Sequence, residues 1–188
     1  MVHPVFIPTL SLPAALRGSW HVVRAAESGD DWHPQVRHLL YRWLRSCSTD
    51  GRLPTPQLIE CPLLADLLPH LWLLDVHREP WRFRYRTAGA AFSRLIGQAV
   101  GNEWYDELRP QAWTANRSRL IATARDGMPT WRRGSQSQEA DAGDLKHDEV
   151  ETLMLPLAGD GIQADAILGI TLAAGSDQLL AEPSSATQ

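Results

Sequence analysis

Among the two cysteines and seven histidines of this 188-residue chain, the candidates for a soft-metal site are Cys47, Cys61, His70 and His77. They are separated by 14, 9 and 7 positions. The tight C-x2-C or H-x3-H pairs with which structural zinc sites preset their geometry are absent, so no metal site is expected. His147, Asp148, Glu149 and Glu151 form an acidic cluster with ligands for a hard cation. Their position at the start of an expected strand fits solvated charge better. Nucleophilic catalysis lacks its G-x-S-x-G elbow. Gly97 and Gly101 follow no strand and precede no Lys-Ser/Thr pair, so they form no phosphate loop and read as turns between short helices. Asp75 and Asp106 are the acids that an isomerase- or dehydratase-like cone fold would need as a buried base, and neither has an evident histidine partner. No catalytic residue is therefore expected.

What remains is aromatic and cationic. Along 81–88, Phe83, Tyr85 and Thr87 alternate with Arg82, Arg84 and Arg86, so the aromatic and arginine rows point to opposite sides of one strand. With the aromatic row turned toward helices, Tyr85, Trp104, Trp113 and Trp131 would line a cavity, and Tyr105 and Arg119 would be its polar handles. That lining suits a small aromatic, amphipathic or anionic ligand. A filled core without ligand is the competing reading. The arginine row reads as an edge for an acidic partner or for structural ion pairs. Eight tryptophans against three phenylalanines favour half-buried sites, where the indole N–H keeps a partner.

The elements that must position these groups follow from periodicity. Residues 33–48 predict a helix with Val36, Leu39, Leu40, Trp43, Leu44 and Cys47 on one stripe and Arg37, Arg42 and Arg45 opposite. Asp31 is the expected cap and Pro34 suits the first turn. A loop (51–56) and a short helix (59–68) precede strands at 70–77 and 81–88. Short helices at 90–97 and 103–108 lead to a longer one at 110–126, ended by Gly127 and Pro129. Strands follow at 130–136, 149–157 and 164–173, with Gly159, Asp160 and Gly161 as a turn. The polar, acidic stretch 137–146 reads as a hairpin tip, residues 1–30 as an irregular segment broken by prolines, and 175–188 as a flexible tail. The expected division is 1–30, a helix and linker at 31–61, a domain at 62–174, and the tail.

Two strands before the helices and three after predict an α+β class: a five-stranded antiparallel sheet with short helices on one face and an N-terminal amphipathic helix. The other face then needs a cover. The N-terminal helix supplies it from the same chain or from a second subunit, which is the argument for a homodimer through Leu40, Trp43 and Leu44.

LPHLWLLDV at 68–76, FRYR at 83–86, Gly89, the Gly97 and Gly101 pair with Trp104 behind it, and LMLPL at 153–157 resemble a short bacterial single-domain subfamily of the PAS fold. YRWLRS and GRLPTP, within 41–56, resemble the helix and loop before its core. The likeness covers roughly 36–173. It implies a fold and a sensory or regulatory class that seldom catalyses, and it does not imply a ligand. The expected function is non-enzymatic sensing or regulation by binding a small ligand, a protein partner, or both. The FRYR match implies a docking or ion-pair role for Arg84 and Arg86. The cofactor stays unknown. Flavin-cysteinyl photochemistry in this fold needs a cysteine within 90–126, and haem-binding members take an axial histidine from the long helix; this chain has neither. It departs from the family pattern at Val150, where an aromatic is usual, at Thr152, in place of arginine, and in a longer 137–146 loop.

Composition bounds the rest. A net charge of −4 and a pI of about 5.9 argue against a nucleic-acid footprint. No apolar run reaches a membrane span, and the start of the chain makes a poor signal peptide. Two cysteines without a framework fit a reducing cytoplasm.

Overall fold

A computed structural model describes residues 32–135 and 149–173. The expectations for 1–30, for the cap at Asp31, for 137–146 and for 175–188 lie outside the described residues. Helix α1 (Pro34–Ser46) leads through two 3-10 segments, Pro56–Glu60 and Pro62–His70, into strand β1 (Leu71–Arg78) and strand β2 (Trp81–Ala88). Helices α2 (Ala90–Leu95), α3 (Tyr105–Leu108) and α4 (Pro110–Asp126) follow, then strands β3 (Thr130–Ser135), β4 (Glu149–Leu157) and β5 (Ala166–Ala173). The expected helix at 59–68 is replaced by the two tighter segments. Pro62 falls inside the expected span and holds the preceding Cys61 in an extended conformation, which divides the stretch in two. Pro69 lies within the second segment, whose short 3-10 turns tolerate its missing N–H.

All five strands form one antiparallel sheet in the order β2-β1-β5-β4-β3. The class is α+β, as the strand and helix periodicities predict. Between Leu73 and Leu74 the β1–β2 register shifts: Leu73 pairs with Thr87 and Leu74 with Tyr85. Arg86 is thereby the extra residue of a bulge, which turns it out of the ladder.

Strand alternation divides the interior in two. Leu71, Leu73, Leu153, Leu155, Leu168, Ile170 and Leu172 pack with Val36, Leu39, Leu40, Trp43 and Leu44 of α1 and with Leu64 and Leu67 of the second 3-10 segment. Trp72, Leu74, Met154 and Ile167 point the other way, toward Phe92 of α2, Tyr105 of α3 and Ala112, Leu120 and Ala124 of α4, and Phe83 and Tyr85 of β2 join them. Strands β4 and β5 are consequently buried on both faces, and read as near-continuous apolar runs. The chain's own α1 covers the second sheet face. Leu40, Trp43 and Leu44 are buried in that contact, so the argument for a dimer through a bare face loses its premise. His33 caps α1, its Nδ1 accepting from Gln35 N at 3.2 Å.

Candidate functional site

Where α4 crosses the sheet, the interior turns polar. Ala112, Asn116, Leu120 and Ala124 recur every fourth residue and share the helix face toward the sheet. Asn116 is 1% exposed. Its Nδ2 donates to Tyr105 Oη at 3.3 Å, while its Oδ1 accepts no hydrogen bond. Facing it from the sheet, Trp72 Nε1 donates to Thr171 Oγ1 at 3.0 Å, and Thr152 Oγ1 donates to the same oxygen at 3.3 Å. Thr152 and Thr171 are cross-strand partners of β4 and β5. Arg109, buried at the junction of α3 and α4, places its guanidinium 5.9 Å from the centre of the Tyr105 ring.

These residues, with Tyr85, Phe92 and Met154, enclose a cavity of about 10 Å3, which is room for about one water. A site for a drug-sized ligand runs to roughly 300 Å3 or more. Of the six side chains expected to line a pocket, Tyr85 and Tyr105 do so, stacked with ring centroids 5.6 Å apart. The other four are placed elsewhere. Trp113 packs on Phe83 and Tyr105 in the same core without lining the cavity. Arg119 is half-buried on α4, away from the lining. Trp104 stands at the sheet edge, its ring 4.2 Å from the Arg82 guanidinium and 4.8 Å from the His77 ring. Trp131 lies on the α1 side, stacked on Trp32 at 4.6 Å. The alternation of β3 places it there, and nothing in so short a strand marks its facing. Arg109, Asn116, Thr152 and Thr171 were missed. Arg109 stands at a helix junction, and Asn116, Thr152 and Thr171 are lone polar residues on inward rows, where hydrophobic periodicity gives them no signal.

The arginine row is occupied with the chain's own groups. Arg82 forms ion pairs with Asp106 and Glu107, Arg84 Nε donates to Asn102 O at 2.9 Å, and Arg86 pairs with Asp75. Of the two expected roles, ion pairing describes Arg82 and Arg86. The hydrogen bonds that Arg82 donates to Glu107 and Asp106 raise its pKa further above the ordinary range. Asp75 and Asp106 are thus both held by arginines, and neither lines the cavity.

A second polar centre lies on the α1 side. Glu151 is 2% exposed, against the expectation of a solvated strand start that holds for the exposed Glu149. It accepts from His33 N at 3.2 and 3.1 Å, from Trp131 Nε1 at 2.9 Å and from Arg133 Nη2 at 2.9 Å. One carboxylate thereby ties the start of α1 to β3 and β4. At the opposite end of α1, burial pushes the Cys47 thiol up from its ordinary 9.0 to about 12. It stays protonated near neutral pH and is a poor nucleophile there. Cys47 and Cys61 are both free. Among the described residues, no three metal-ligating side chains converge and no helix is long and apolar enough to cross a membrane. Comparison with protein-family models and with curated proteins finds no match to the chain.

Proposed function

We propose that the chain is a PAS-like sensory or regulatory protein, non-enzymatic and cytoplasmic, whose interior responds to a small polar ligand. The observation that carries this reading is the buried Asn116 Oδ1 facing a hydroxyl-rich cavity. No protein group satisfies this oxygen, and a buried amide left without a partner costs about 1–3 kcal/mol, so the cavity favours a polar guest, of which a single water is the smallest. Two strands, a run of helices, and three further strands agree with the family likeness in the sequence. The enzyme reading has less support, since Asp75 and Asp106 are engaged with arginines away from the cavity. The free thiols suit a reducing compartment.

Signalling would be a population shift: a guest larger than water favours the state in which α4 stands further from β4 and β5. The cavity's volume favours a second reading, an adaptor with a filled interior that acts through its surface alone. Native mass spectrometry followed by denaturation separates the two. The sensory reading expects a stoichiometric small molecule released from the wild type and absent from Asn116→Leu. That variant should also melt higher, by about 1–2 kcal/mol of stability, because it removes the unsatisfied amide. Nothing released, together with a small-metabolite panel that shifts the melting of both proteins equally, leaves the adaptor.

A further inference from the structure

The surface that faces outward from α1 is chemically one-sided. Its inward stripe, Val36, Leu39, Leu40, Trp43 and Leu44, is spent on the sheet. Its outward positions are Arg37, His38, Tyr41, Arg42 and Arg45, partly or fully exposed. They fall at i, i+1, i+4, i+5 and i+8, so they form one continuous stripe over about 12 Å of helix. The helix sequence PQVRHLLYRWLRS contains no Asp or Glu.

Arg52, Arg82, Arg86, Arg125 and Arg133 each reach a carboxylate. Arg37, Arg42 and Arg45 form no ion pair among the described residues. Arginines without an ion pair among the described residues also occur singly elsewhere, as at Arg84 and Arg117; what sets this stripe apart is that three share one helix face with no acid on the helix. Arg42 Nε reaches His38 Nε2 at 3.4 Å, and the Arg45 guanidinium lies 6.0 Å from the centre of the Tyr41 ring. Three like charges at this spacing repel one another. The chain as a whole carries −4, so the patch is no by-product of general basicity.

We infer that this outer face of α1 docks an acidic segment of a partner protein, with the three guanidinium forks taking carboxylates. This goes beyond the sensory reading and does not depend on the cavity. It also moves the expected partner surface from Leu40, Trp43 and Leu44 to the opposite side of the same helix. Nucleic acid fits less well, because three arginines on an acidic protein neutralise few phosphates. A membrane surface fits less well too, since the apolar residues of α1 are turned inward and leave little to insert. The helix is held at both ends, with Glu151 anchoring the start of α1 and Trp43 its last turn, so a partner would meet preset charges.

The test uses the full chain and a dye-labelled glutamate-rich peptide, read by fluorescence anisotropy. The wild type should bind it, more weakly as salt rises. Joint Arg37→Glu, Arg42→Glu and Arg45→Glu substitution should weaken binding by roughly tenfold or more. The triple lysine variant should retain most of it, and Asn116→Leu should bind as the wild type does. If the charge-reversed protein loses its circular dichroism signal, the triple glutamine variant carries the same expectation. Undiminished binding by the charge-altered protein overturns the inference. So does wild-type binding to a matched glutamine peptide, or tighter binding to single-stranded DNA or phosphatidylserine vesicles than to the glutamate peptide.

Discussion

Glu151 shows how much one side chain can hold together. Its carboxylate receives a backbone N–H from the start of α1, an indole N–H from β3 and a guanidinium from β3, three donors from two elements that are far apart in the chain. Glu151→Ala would leave the His33 and Trp131 donors without their acceptor inside the α1-side core, and should cost about 2–4 kcal/mol in urea unfolding. Glu151→Gln keeps one acceptor oxygen and should cost less. Equal stability for the alanine variant and the wild type would show that water replaces the carboxylate there. Sequence reading expected this residue to be solvated, because acids at a strand start usually are. The opposing signal was its place two residues before Leu153 and four before Leu155, on the inward row. Tyr85 and Tyr105 were legible because aromatic residues at inward spacing declare themselves. Asn116, Thr152 and Thr171 were not, since polar residues carry no hydrophobic signal even on an apolar row.

Among the elements, β5 shows how the sheet makes room for an indole. Trp72 and Gly169 are cross-strand partners, and the Trp72 ring covers Gly169 so closely that an added Cβ would overlap its ring carbons. In this position Nε1 reaches Thr171, two residues further along β5. Gly169→Ala must therefore tilt the indole and break that bond, which overpacks the core at a cost of about 1–3 kcal/mol plus roughly 1 kcal/mol for the hydrogen bond. In a Trp72→Leu background the alanine should be nearly neutral, so the double-mutant cycle should show coupling of at least ~1 kcal/mol. Gly89→Ala offers the contrast, because its Cβ would overlap the Leu68 and Pro69 carbonyls, which truncating a side chain cannot move. If Gly169→Ala costs the same with and without the indole, the ring is not what requires glycine. Periodicity located β5 to within two residues, yet it could not show that Gly169 is a platform, because that role needs a partner from another strand.

At the scale of the whole molecule, one sheet serves two cores, and this determines how the protein comes apart. Strands β1, β4 and β5 send alternate side chains into each core, so neither can loosen without disturbing strands that the other needs. On this account α1 belongs to the cooperative unit and is no detachable appendage. Trp43 is 0% exposed, and its Nε1 donates to Pro156 O at 2.8 Å, joining α1 to β4. Leu120 is its counterpart across the sheet, fully buried under α4. Trp43→Ala should cost about 3–5 kcal/mol and Leu120→Ala about 2–5 kcal/mol through lost burial and the cavity left behind. The sharper expectation concerns shape: in both variants, far-ultraviolet circular dichroism and tryptophan fluorescence should follow one coincident transition in urea. The opposite outcome is specific to Trp43→Ala, where an early fluorescence transition ahead of the helical signal would mean that α1 undocks alone. The sheet would then expose the leucine row of Leu153, Leu155, Leu168 and Ile170, and self-association should rise with protein concentration only in that variant. A monomer with one transition in both would place α1 in the fold itself, and leave its arginine face as the side it turns outward.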